Sequence, residues 1–320
     1  FDGSHVIEAR TAALREAAQA ELDDVLAHGG AFQAVDVLKS RLVASMAART
    51  RRIEAGEQTV VGVNAFTETA ESPLGGSGAI LTVDPAVEQD QIARLTDWRA
   101  NRDEGAAEAA LTTLRADARA GRNVMPASIA CAKAGVTTGE WAGVMRQVHG
   151  EYRGPTGVSA SPSNRTEGLD EIRTAVDAVS TRLGRRLKFL VGKPGRDGHS
   201  TGAEQIAARA RDCGMDITYE GLRLTPEQIV DAALDQNAHV VGLSILSGSH
   251  LPLIEELMER MRSADLSHIP VVVGGIIPDE DAVRLTRMGV ARVYTPKDFE
   301  LNRIMFDIVA LAEPKAEAAE

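Results

Sequence analysis

Leu187-Lys188-Phe189-Leu190-Val191-Gly192-Lys193-Pro194-Gly195-Arg196-Asp197-Gly198-His199-Ser200-Thr201-Gly202 is the stretch that decides the fold. The apolar run from Leu187 to Gly192 reads as a buried strand. It empties into a loop, Lys193 to Gly202, richer in glycine and polar groups than a mere connection needs. A helix follows, near Ala203 to Asp212. The alternation then repeats, with strands at Asp216 to Glu220, His239 to Leu243, Pro270 to Gly274 and Ala291 to Thr295. Helices fall near Pro226 to Gln236, Leu251 to Arg262, Asp279 to Met288 and Phe299 to Ala312. This pattern predicts an α/β domain with a flavodoxin-like, doubly wound, parallel five-stranded sheet. Such sheets bind ligands at the carboxyl ends of their strands, so the loops there carry the functional question.

Upstream, the spacing of apolar residues predicts a mainly helical region. One helix covers about Ser4 to Leu26 and ends at Gly29-Gly30. A second runs from about Phe32 to Glu54, followed by an extended piece, Thr59 to Asn64. Asp84 before Pro85 makes an N-cap and N1 pair for a helix to about Arg102, and two or three more helices reach about His149. Thr137 and Glu140 form a capping box for the last of them. Gly154 to Asn164 is rich in turn formers and reads as a linker, and a short helix covers Leu169 to Leu183. The expected division is therefore 1–155, a linker with lead-in helix at 156–184, the sheet domain at 185–313 and a tail at 314–320.

The 320 residues are 44% apolar and 25% charged, an ordinary globular composition. A net charge of -11 argues against binding nucleic acid, which needs clustered Lys and Arg. Cys131 and Cys213 form no CxxC pair and read as buried small apolar groups, which suggests the reducing cytoplasm. No apolar run is long enough to span a membrane and no leader pattern is present. The sequence opens at Phe1, which reads as a fragment or a processed product.

Three loops carry candidate ligands. Asp197 and His199 pair a carboxylate with an imidazole, an arrangement that fixes the ring tautomer and raises its basicity toward a transition metal. Gly198 and Gly202 leave room for a large planar group. Strand three ends in Ser244-Ile245-Leu246-Ser247-Gly248-Ser249-His250, and strand four in Gly274-Gly275. One imidazole beside small residues suits a prosthetic group better than bare zinc, which takes three or four ligands. The plainer readings stand beside these. A lone loop histidine is usually structural, Ser244 fits a cap, Gly274-Gly275 fits a strand-to-helix turn, and His250 fits a helix start as well as the crevice. Arg49-Thr50-Arg51-Arg52 reads as a solvated helix face.

Asp197-x-His199-x-x-Gly202, Ser244-x-Leu246 and Gly274-Gly275 together resemble the signature of cobalamin-binding domains. The resemblance implies that His199 is the lower axial ligand of cobalt in place of the cofactor's dimethylbenzimidazole, with Asp197 hydrogen-bonded to it and Lys193 pairing with Asp197. It also implies that Ser244 hydrogen-bonds the displaced base, beside Leu246, and that Gly274 and Gly275 admit the nucleotide tail. Arg196 departs from the pattern, standing where an apolar residue is expected.

Val61 to Asn64 and Val83-Asp84-Pro85 resemble the connector of coenzyme-B12-dependent acyl-CoA mutases. Phe66 to Thr69, Ala134 to Trp141 and Tyr294 to Arg303 are similar to the ethylmalonyl-CoA branch. Residues 1–155 would then be the end of the barrel domain plus the connector. The implied reaction is a radical rearrangement with adenosylcobalamin, of ethylmalonyl-CoA to methylsuccinyl-CoA or of methylmalonyl-CoA to succinyl-CoA. The acyl-CoA would be held by a barrel absent from this chain, so no catalytic residue is assigned within it. A homodimer or association with a barrel-containing chain is the implied assembly. The rivals are a corrinoid carrier for methyl transfer and a cobalamin sensor. Against the carrier, the helices of 85–149 lack apolar residues suited to capping cobalt.

Overall fold

The computed structural model describes residues 2–68, 84–158 and 169–314. The described residues up to Glu68 group with those from Gly154 onward, and those between form a second unit.

The second unit is helical, with α3 (Pro85–Asn101), α4 (Glu104–Arg119), α5 (Met125–Lys133) and α6 (Thr138–His149), after α1 (His5–Ala27) and α2 (Val35–Glu54) of the first. The Asp84 carboxylate accepts from the Ala86 N–H, and Thr137 with Glu140 closes the expected capping box. Ala110, Leu111, Leu114, Ala127, Cys131 and Val144 pack as its core. Arg102 grips both oxygens of Glu140, at 2.6 and 2.8 Å. That grip, with the Thr137 contacts, lowers the Glu140 pKa to about 2.

The first unit opens with α1 (His5–Ala27), which buries none of its residues, and α2 (Val35–Glu54). Beyond α2 the expected extended piece is a tight turn. The Asn64 side chain accepts from the Val60 N–H and donates to the carbonyls of Ile53 and Gln58, folding the segment back on the helix end. The expectations for Val83, Thr69, most of the linker and the tail lie outside the described residues.

From Asp170 the chain alternates as read: α7 (Asp170–Leu183), β1 (Lys188–Gly192), α8 (Thr201–Asp212), β2 (Asp216–Tyr219), α9 (Pro226–Asp235), β3 (Val240–Ile245), α10 (His250–Ser263), β4 (Val271–Gly275), α11 (Asp279–Met288), β5 (Arg292–Tyr294) and α12 (Leu301–Leu311). The sheet is parallel throughout, in the order β2-β1-β3-β4-β5. Alternation of side chains along each strand loads two cores. Phe189 and Val191 join α7, α8 and α12 on one face. Leu190 joins α9, α10 and α11 on the other. β1 and β3 are neighbours while their connections run to opposite faces, so the strand order reverses between them, and a crevice opens at that switch point. Among the described residues no helix is long and apolar enough to cross a membrane.

The first 68 residues therefore differ from the division read in the sequence, which placed them with 69–155. The reason is α2, whose Lys39 and Glu54 side chains and Val43 carbonyl engage α8 across more than 150 residues of sequence. Ser244 also shifts. It lies within β3, paired with Gly274, because the β3–β4 ladder continues to Ile245 and Gly275.

Candidate cofactor site

The loop after β1 is organised around one carboxylate. Asp197 Oδ2 accepts from Lys193 Nζ at 2.8 Å and from the Leu246 N–H at 3.2 Å. Its Oδ1 accepts from the His199 N–H at 3.0 Å and meets His199 Nδ1 at 2.6 Å. Lys193 is fully buried and also donates to the Ser244 carbonyl at 3.1 Å. One residue thus ties the loop after β1 to the end of β3, across the switch point. Burial pushes the Asp197 pKa up, but the hydrogen bonds from Lys193 and from His199 outweigh it and hold the group well below the usual carboxylate range.

The His199 side chain is 81% exposed while that of Asp197 is only 5% exposed. With Nδ1 turned to the carboxylate, Nε2 has no hydrogen bond among the described residues, and in a neutral ring with its proton on Nδ1 the lone pair is on Nε2. A neutral imidazole held by a carboxylate and open at its other nitrogen is a ready ligand for a metal brought in by something larger.

Beside this loop a cleft of about 270 Å³ opens between α8 and the ends of β3 and β4, with Gly202, Ser244, Leu246, Gly274 and Gly275 in its walls. Lys193, Asp197, Gly198 and His199 belong to the loop and not to the cleft wall. No hydrogen bond holds the Ser244 hydroxyl among the described residues, and a Cβ placed on Gly202 would lie 3.9 Å from it. The cleft is mostly apolar, lined by residues such as Phe189, Val191 and Val272, with Thr50, Gln205, Tyr294, Thr295 and Asp298 also in its wall. A mostly apolar wall with a few polar side chains suits a flat aromatic group.

The two glycines of β4 differ. A Cβ on Gly275 would sit 1.8 Å from the Ile245 carbonyl oxygen, so this glycine serves the close approach of β3 and β4. On Gly274 it would meet only ordinary contacts at 4.0 Å, so this position leaves room in the cleft.

Several sequence expectations resolve to structure instead. His250 is buried at the start of α10, with Nε2 2.8 Å from Asp281 Oδ2. Arg196 is exposed, so its departure from the expected apolar residue disturbs no core. Cys131 and Cys213 are buried, and burial pushes the Cys213 thiol up to about 11. Thr50, inside the arginine cluster, reaches the cleft wall, as does Tyr294, and both escaped the sequence reading. Nothing in a helical RTRR stretch or a three-residue strand marks them. A second cleft of about 390 Å³ lies along β5 and α12, lined by Arg292, Lys297, Arg303 and Asp307, and includes none of the expected site residues.

Residues 187–298 match the family described as B12 binding domain, the class that the sheet, the open imidazole and the adjoining cleft define. Residues 1–151 match the family described as methylmalonyl-CoA mutase. The chain is 63% identical, over its whole length, to the ethylmalonyl-CoA mutase of Cereibacter sphaeroides, covering 49% of that protein. It is 52% identical over 98% of its length to the ethylmalonyl-CoA mutase of Methylorubrum extorquens, covering 46% of it. Identity to the methylmalonyl-CoA mutase of Cereibacter sphaeroides is 36%, over 92% of this chain and 42% of that protein. The chain therefore joins a segment that matches the methylmalonyl-CoA mutase family to one that matches the B12 binding domain, and it spans about half the length of the curated relatives it matches.

Proposed function

We propose that this chain is the cobalamin-binding part of an adenosylcobalamin-dependent ethylmalonyl-CoA mutase, with His199 Nε2 as the lower axial ligand of cobalt. The observation that carries the reading is the Lys193–Asp197–His199 relay, which ends in a free ring nitrogen next to an apolar cleft. Higher identity to ethylmalonyl-CoA than to methylmalonyl-CoA mutases supports the substrate assignment. Bound adenosylcobalamin would supply the carbon-centred radical chemistry of the skeleton rearrangement.

The residues of this chain do the holding. Asp197 keeps the proton on Nδ1 and so keeps Nε2 available. Lys193, with no exposed surface, fixes Asp197 and neutralises its charge. Ser244 offers a hydroxyl that the displaced base would bond, while Gly202, Leu246 and Gly274 shape the slot around it. Gly198, with open space where a side chain would stand, lets a large macrocycle approach the loop. The acyl-CoA would be held by a barrel domain outside these residues, in a homodimer or by association with a barrel-containing chain. Matches to mutases along the whole chain weigh against the corrinoid-carrier and sensor readings.

The test is a titration of adenosylcobalamin with the purified chain and with His199→Ala, following the absorbance bands that report the lower ligand. Loss of the benzimidazole-on spectrum, with imidazole ligation in the wild type alone, is the expected result. An unchanged spectrum at saturating protein would overturn the assignment.

A further inference from the structure

Helix α2 lies in the segment that matches the mutase family, yet two of its polar side chains, Lys39 and Glu54, and the Val43 carbonyl are engaged by α8. Lys39 Nζ donates to Ser200 Oγ at 3.2 Å and pairs with Glu204, whose side chain is 5% exposed. Gln205 Nε2 donates to the Val43 carbonyl at 3.2 Å. Arg209 donates to Glu54 at 2.7 Å, and the other oxygen of Glu54 accepts the Leu301 N–H at 3.0 Å. Glu204, Gln205 and Arg209 are all buried, which polar side chains on the outer face of a helix are not unless something covers them. Thr50 of the same helix reaches the cleft.

Ser200 is the informative partner. It follows His199 directly and occupies the N-cap position of α8, where a serine hydroxyl ordinarily accepts from its own helix. Here the side chain makes no capping hydrogen bond, and the hydroxyl accepts from Lys39 instead. A cation at a helix N-terminus is electrostatically misplaced with respect to the helix dipole, and Glu204 offsets it. Helix stability alone does not explain this arrangement. What the contact does achieve is to anchor the residue next to His199 to a separate element.

We propose that α2 is an integral wall of the cofactor unit and that Lys39 is a positioning residue for the loop carrying His199. The inference rests on the reading of His199 as cobalt ligand. Asp197 orients the ring from inside the loop, and Lys39 holds the loop's far end through Ser200. Without Lys39 the ring keeps its carboxylate partner, but the loop that presents it gains freedom, and ordering that loop is charged against cofactor binding.

The experiment compares wild type, His199→Ala, Ser200→Ala and the double variant Lys39→Met/Glu204→Met in titrations with adenosylcobalamin. The double variant removes the ion pair without stranding a buried carboxylate. Ser200→Ala leaves that pair in place, and so serves if the double variant fails to fold. The expected result is cobalamin binding about tenfold weaker in both, with a reduced imidazole-ligated fraction in the spectrum and melting temperatures near wild type. Lys39→Arg, which keeps a donor and the charge, should restore most of both readouts. Wild-type affinity and spectrum in Ser200→Ala and the double variant, beside lost ligation in His199→Ala, would overturn the role of Lys39 while the axial-ligand reading stands. Absence of imidazole ligation in the wild type would overturn both.

Discussion

Two histidine–aspartate pairs sit near the carboxyl edge of the same sheet, and they are built in opposite senses. In the first, the ring of His199 is 81% exposed and the carboxylate of Asp197 is 5% exposed. In the second, the ring of His250 is 5% exposed and Asp281 is 18% exposed, with Arg284 also on its carboxylate at 3.2 Å. His199 Nε2 has no hydrogen bond among the described residues. The spare nitrogen of His250, Nδ1, is buried without a partner among the described residues. The difference separates an open ring from a fastener: a metal could reach the first ring, whereas the second ties the start of α10 to α11.

The largest expected effect is on the carboxylate of the first pair. Asp197→Asn leaves the fully buried Lys193 without its counter-charge, and breaking such a pair costs about 3 kcal/mol of stability in urea unfolding. Asp281→Asn, at a more exposed site, should cost well under half as much. Equal losses would erase the distinction between the pairs.

His199→Ala comes next, weakening adenosylcobalamin binding by about 100-fold, or about 2.7 kcal/mol, while the fold loses less than about 0.5 kcal/mol. The mirror image holds for His250→Ala. It should cost about 2 kcal/mol of stability through a lost buried contact and an abandoned carboxylate, and leave the cobalamin spectrum unchanged. A spectral change in His250→Ala with none in His199→Ala would reverse the assignment of the two rings.

Acid sharpens the same comparison. Because the Asp197 pKa is depressed in the folded state, its contribution to stability is complete above the ordinary aspartate value, about 3.9. It is lost as pH falls below that value toward the folded pKa. Wild type should therefore lose stability more steeply below about pH 4 than Asp197→Asn, measured by denaturant melts from about pH 5 downward. Parallel slopes would show that the carboxylate is not selectively stabilised. The smallest effect is expected at Gly274→Ala, within about 0.5 kcal/mol of wild-type stability, since the added Cβ meets only ordinary contacts.

Much of the first pair was legible in the sequence and little of the second. Asp197 and His199 are two residues apart, so one tight loop suffices to bring them together whatever the rest of the chain does. His250 and Asp281 are 31 residues apart and meet only because α10 and α11 pack side by side on one face of the sheet. The glycine pair shows the same limit. Gly274-Gly275 reads as room for a ligand, but only the strand spacing reveals that Gly275 serves the backbone and Gly274 the cleft.

Near neighbours along the chain dictate the βα alternation, the capping box at Thr137, the carboxylate–imidazole loop and the order of the glycine-rich strand ends. These follow from apolar periodicity and short-range hydrogen bonding, which act over a few residues. Tertiary structure alone decided that α2 leaves its sequence neighbours for α8, that Lys39 reaches Ser200 across 161 positions, and that Lys193 bridges β1 to β3. A buried charge must find its partner wherever packing puts one, and that place is set by the assembled sheet and its helices, not by distance along the chain.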